Sequence, residues 1–193
     1  SYRVSLGEGA LARFRYDPVI GWGRGPGSVR VTLRFPTRLS ADQLILVRPA
    51  GYTFDGQQLA WSYDTPRQLQ PIEFLMVVPS AWQALQAAQG AAAAPTATAA
   101  AHLALGRWYH RLALADVGED TVLFDRYYAQ AMAALSQARA LAPADPVAPR
   151  LLADLFLRQA ARTGAGTTYR ALAAAALADA RTAGDDSPEL LAS

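Results

Sequence analysis

Near residue 80 the chain changes character. The first eighty or so residues are rich in Val, Arg, Tyr, Phe and Gly, and the remainder is dominated by Ala and Leu. A shift that sharp marks a change of architecture, because β-branched and aromatic side chains suit a pleated surface whereas Ala and Leu suit helices. A length of 193 residues is enough for two small domains, each burying most of its own apolar side chains. The expected fold class is therefore α+β in two domains. An antiparallel β-sandwich occupies residues 1–79, a short helix and an Ala/Thr/Pro linker occupy 80–100, and an all-α array of two long helical hairpins occupies 101–193.

Alternation places the strands of the first half. Tyr2–Leu6 and Ala10–Tyr16 alternate around Gly7 and Gly9, Val29–Phe35 alternates cleanly, and Gln43–Val47 is nearly continuous apolar. The last pattern suggests a central strand covered on both sides. Leu59, Trp61 and Tyr63 alternate after an Asp55-Gly56 turn, and Ile72, Phe74, Met76 and Val78 share a face before Pro79. Six or seven short strands with turn signals about every eight to twelve residues favour an immunoglobulin-like sandwich. The Gly-rich run Gly21–Gly27 has no phosphate-loop register and is followed by a strand rather than a helix, so it reads as a hairpin loop. In its strand spacing and in the stretch DGQQLAWSY, this half resembles extracytoplasmic sandwich domains of bacterial cell-surface proteins.

Two surface features of this half could carry binding. If the strand with Arg13 and Arg15 pairs antiparallel with the strand holding Arg30 and Arg34, four guanidiniums share one sheet face as an anion-binding patch. The competing reading is a solvated face that protects a sheet edge. Trp22, Trp61 and Tyr63 would form the aromatic platform of a carbohydrate-binding or glycan-processing protein, the alternative function.

In the second half, Ser80 is placed to cap a short helix from Ala81 to about Gln89, with Gly90 at its end. Trp82 and Leu85 make an apolar stripe on it that predicts a buried Trp82. Ala91–Ala100 then reads as linker. Longer helices are expected from about Ala97 to Ala115 and from Asp120 or Thr121 to Leu141. Within the latter, Ala131, Leu135 and Ala138 line a tight stripe that Pro143 stops.

Leu105, Gly106 and Tyr109, followed by Tyr128-x-x-Ala131, Leu135, Ala138 and Pro143, resemble the tetratricopeptide-type hairpin. Leu152, Ala153 and Phe156, with Tyr169, Ala173, Leu177 and Ala180, repeat the pattern. The span from Gly106 to Ala131 exceeds the family pattern by about thirteen residues, which requires longer helices or an inserted loop. The resemblance implies a groove lined by the first helix of each hairpin. Leu103, Arg107 and His110 are its positions in the first, and Val147, Arg150, Asp154 and Leu157 in the second. Arg150 and Asp154, four apart, could instead bridge each other.

Composition narrows the chemistry. There is no cysteine, so thiolate catalysis, disulfides and Cys-based zinc sites are excluded. Lysine and asparagine are absent too, which removes N-glycosylation sequons. Through Ser80 there are nine arginines against six acids, and from Ala81 nine against ten, so neither half reads as a polyanion or nucleic-acid binder. His102 and His110 lie about 80° apart around a helix and cannot ligate one ion without a third element. The expectation is a non-enzymatic module that binds a protein or peptide, with no catalytic residue, metal, cofactor or membrane insertion and an open oligomeric state. The start at Ser1 and the sandwich-first order suggest an extracytoplasmic or cell-surface location, the cytoplasm being the alternative.

Overall fold

A computed structural model describes residues 9–17, 27–65, 68–115 and 121–184. The expected strand Tyr2–Leu6, most of the glycine loop with Trp22, and the terminal Leu190-Leu191 lie outside the described residues. The chain is α+β. It divides into two compact units, Ser1–Gln83 and Ala84–Ser193.

The first unit holds two three-stranded antiparallel sheets. Strands β1 (Leu11–Tyr16), β3 (Leu44–Arg48) and β6 (Ile72–Val77) form one in the order β1-β6-β3, and β2 (Val29–Arg34), β4 (Thr53–Phe54) and β5 (Gln58–Tyr63) form the other in the order β2-β5-β4. The central strands are β6 and β5. Contrary to expectation, the apolar run after Gln43 is an edge strand among the described residues. A register shift between Leu44 and Leu46 breaks its alternation, and a bulge of this kind makes a half-covered strand read as continuously apolar. Gln43 itself ends a single 3-10 turn, Ala41–Gln43, capped by Ser40. Its buried amide accepts from Ser40 N–H (2.8 Å) and donates to the Val77 carbonyl (3.3 Å), so the edge strand is clipped to the centre of its sheet.

Large side chains fill this unit. Phe14 lies opposite Phe74 with ring centroids 5.4 Å apart, and Phe35, beyond β2, meets the Phe74 edge-on at 5.7 Å. Trp61 is 1 % exposed and donates its indole N–H to the Pro49 carbonyl at 2.9 Å. The turn before β5 is held by Asp55, whose carboxylate accepts from the amides of Gln57 and Gln58, both at 2.8 Å. Those two amides hold its carboxyl below the usual carboxylate range.

Five helices follow: α1 (Pro79–Ala93), α2 (Ala99–Ala113), α3 (Val122–Leu141), α4 (Val147–Arg162) and α5 (Gly166–Thr182). The first differs from expectation. It starts at Pro79, whose fixed φ and missing N–H suit a first helical position, so Ser80 is inside it rather than capping it. It also passes through Gly90 to Ala93, because Ala91–Ala93 favour helix and Pro95 disfavours it only at the residue just before. The expected linker shrinks to a turn closed by Thr98, whose hydroxyl accepts from Ala101 N–H. Trp82 is half-buried rather than buried; Leu85 is the helix's deeply buried large side chain.

In the second unit α2 packs on α3, α3 on α4 and α4 on α5, with a further contact between α2 and α4. Gly106 faces Leu135, and Tyr109 stacks on Tyr127 at 5.9 Å, so α2 and α3 run antiparallel. A Cβ at Gly106 would fall 2.5 Å from Leu135 Cδ2 and 3.3 Å from its backbone nitrogen. The glycine is therefore needed for the approach of the two backbones, and Ala131 and Ala138, both buried on α3, have the same small size.

Candidate functional site

The face expected to bind a partner is assembled from α2 and α4. On each helix three residues follow an i, i+4, i+7 spacing, which confines them to about 60° of its circumference. These are Leu103, Arg107 and His110 on α2 and Arg150, Asp154 and Leu157 on α4. The two sets meet at one point: Nε2 of His110 lies 3.2 Å from Oδ2 of Asp154, the imidazole 16 % and the carboxylate 48 % exposed. Arg107 is exposed, Leu103 and Arg150 are half-buried, and Leu157 is 48 % exposed, one of few large apolar side chains so open.

Charge is sorted around this face. Arg107, Arg111, Arg150 and Arg158 project from α2 and α4, whose sole carboxylate is Asp154. The Arg111 guanidinium lies over its neighbour Trp108, 5.7 Å from the ring centre. A surface of this kind can hold an extended segment by charge-assisted hydrogen bonds at its arginines and apolar contact at Leu157. His102 sits half-buried on α2, and among the described residues no group of three or more His, Asp or Glu is placed to hold a metal ion.

Two ion pairs that sequence reading missed lie elsewhere in this unit. Arg162 donates to Asp125 at 2.6 Å while its guanidinium covers Phe124 at 4.5 Å. Asp125 also accepts from the Thr121 hydroxyl, and these two hydrogen bonds, that of Arg162 foremost, hold its carboxyl below the usual range. Arg139 pairs with Asp179 at 2.6 Å. A usable signal was present: among the described residues after Ala81 the acids within helices are Asp125, Asp154 and Asp179.

In the first unit the four arginines do not form one patch. Arg13 and Arg15 lie on β1 in one sheet, and Arg30 and Arg34 on β2 in the other. The strands that join β1 and β2 are β6 and β5 respectively, so the expected pairing is replaced. Arg13 is committed to Glu73, with Nε to Oε1 at 2.6 Å, and Arg48 approaches the same carboxylate. The aromatic platform fares no better. Trp61 is core, Tyr63 is half-buried, and Trp22 lies outside the described residues, so the ring faces a sugar needs are not presented by Trp61.

Among the described residues no helix is long and apolar enough to cross a membrane. The chain matches no family model, no curated protein and no solved structure.

Proposed function

We propose that the chain is a non-enzymatic interaction module in two domains. A β-sandwich of general immunoglobulin-like type precedes a tetratricopeptide-like array of two helical hairpins, α2–α3 and α4–α5, and a protein or peptide partner docks along α2 and α4. The observation that supports this reading most is the meeting of His110 and Asp154, which makes one surface of two equally spaced side-chain sets. The antiparallel first hairpin closed by Gly106 supports it too. The proposed location is extracytoplasmic or at the cell surface, on the resemblance of the sheet-rich half, with the cytoplasm as the alternative.

The test is selection of peptides from a displayed random library on the whole chain, followed by titration of the winners against Arg107→Glu and Arg150→Glu. Tenfold or greater weakening, about 1.4 kcal/mol or more, is expected in both, and the Arg107→Glu thermal midpoint should stay within a few degrees of the parent, because a charge this exposed contributes little to folding. Winners that bind both variants as tightly as the parent would remove the groove.

A further inference from the structure

The three carboxylates carried by the helices have one thing in common. His110–Asp154 joins α2 to α4, Asp125–Arg162 joins α3 to α4, and Arg139–Asp179 joins α3 to α5. Each pair crosses from the first hairpin to the second, and none lies within a hairpin. The interior of the first hairpin is of another kind. Gly106 against Leu135, Tyr109 on Tyr127, and buried Leu112, Ala131 and Ala138 leave no room for adjustment. Close-packed interiors transmit motion as rigid bodies, whereas these pairs, whose Asp125, Asp154 and Asp179 carboxylates are about half open to solvent, are weak and readily exchanged for other partners.

Two of these pairs pin α4 along the seam. Arg162, at its last turn, is held by Asp125 and by the face of Phe124, both at the first turn of α3. Asp154 lies eight residues earlier, about 12 Å along the axis, and is held by His110. We infer that the hairpins are two rigid bodies that rock about the Arg162–Phe124–Asp125 contact, and that His110–Asp154 is the latch setting the separation of α2 and α4.

The consequence rests on the groove reading. Arg107 lies one turn before His110, and Arg150 and Arg158 one turn either side of Asp154. A partner carboxylate settling on this face competes with Asp154 for His110, and a partner cation competes with His110 for Asp154. Either exchange releases the latch as the segment docks, so the surface adjusts its width to its occupant. A rock of about 15°, the scale of rigid-body switching rotations, moves Asp154 by about 3 Å at that lever arm.

The latch can be tested on the chain alone, so the result does not depend on whether any peptide binds. With no native cysteine, nitroxide labels at Ala104→Cys and at Ala175→Cys on α5, about 13 Å along the second hairpin from its pivot end, report the separation of the two hairpins, and labels at Ala104→Cys and Gln130→Cys report the interior of the first hairpin. All three sites are exposed. Introducing Asp154→Ala, or separately His110→Leu, is expected to lengthen or broaden the first distance distribution by about 3 Å and leave the second unmoved. Two results would overturn the inference: a first distribution identical to the parent's in both variants, or equal broadening of both distributions, which would mean that the whole unit had loosened.

Discussion

The two units both bury large aliphatic side chains but differ in what else their cores use. The sheet-rich unit is filled by bulk: Trp61, Leu59, Ile72, Leu75 and Met76 are its most buried large residues. The helical unit buries Leu112, Leu123, Leu135 and Leu155 as fully, but small residues recur in its interior, with Gly106 buried and Ala131, Ala138, Ala153, Ala173 and Ala180 at 2 % exposure or less. Side chains stand off a pleated sheet surface, where bulk fills the space beside it, whereas helices that approach closely leave no room at their contact points, so an added atom there is in the way. The same kind of mutation therefore has opposite meanings in the two halves.

The largest effect should come from emptying the first core. Trp61→Ala removes an indole and leaves the Pro49 carbonyl without its donor, and should cost about 3–5 kcal/mol. In urea titration with probes in each unit, the sheet-rich transition should move to lower denaturant. A cost below about 1 kcal/mol would mean that bulk is not what holds this unit.

Adding an atom should be the damaging change in the helical unit. Gly106→Ala drives a methyl into Leu135, and overpacking of this kind costs about 1–3 kcal/mol, against a gain of up to about 1 kcal/mol in helix propensity. The double-mutant cycle sharpens the point. In a Leu135→Ala background the room exists, and Gly106→Ala should become neutral or stabilising; an unchanged penalty there would show that the clash with Leu135 is not its origin.

A smaller effect separates bulk from polar fit within the sheet-rich unit. Gln43→Leu keeps the volume but strands Ser40 N–H and the Val77 carbonyl, and should cost about 1–2 kcal/mol. Hydrogen exchange should accelerate along β3 before β6, and uniform acceleration would argue against a clip on the edge strand.

The smallest effect is on pH. The Asp125 carboxyl is lowered in the folded chain by its hydrogen bonds from Arg162 and Thr121. A depressed carboxyl contributes stability that is present above its unfolded value, about 3.9, and is lost as pH falls through the folded value. The side chain is 60 % exposed, so solvent screening keeps the contribution small. Asp125→Asn should flatten the stability profile slightly below about pH 4 and leave it parallel to the parent at neutral pH. A variant whose profile still matches the parent's in acid would separate the shift from stability.

Legibility followed the same division. Clean alternation made β1, β2, β5 and β6 readable, and the Ala/Leu stripe stopped by Pro143, with the repeated pattern from Leu152 to Ala180, placed α3, α4 and α5. The bulge hid the edge position of β3, because the period-2 signal fails where one residue is inserted. The arginine patch failed for a different reason: alternation says which side a residue points to but not which strand lies beside it. On the helices, spacing put Arg107, His110, Arg150 and Asp154 on coherent faces. That His110 reaches Asp154, rather than Arg150 bridging it alone, depends on the offset between two helices, which no local pattern encodes.

The position of β6 sets an order of assembly. It is the last strand among the described residues, yet it lies between β1 and β3 and supplies partners to both. Partners such as Ala12 and Met76 are 64 positions apart, so during synthesis β1 and β3 lack the strand that joins them until residues 72–77 emerge. Gly106 and Leu135 are 29 apart, and their hairpin closes a much shorter loop. Since non-local pairings fold more slowly than local helical ones, the second half of the chain can be native while the first, though made earlier, is still waiting for its central strand to insert.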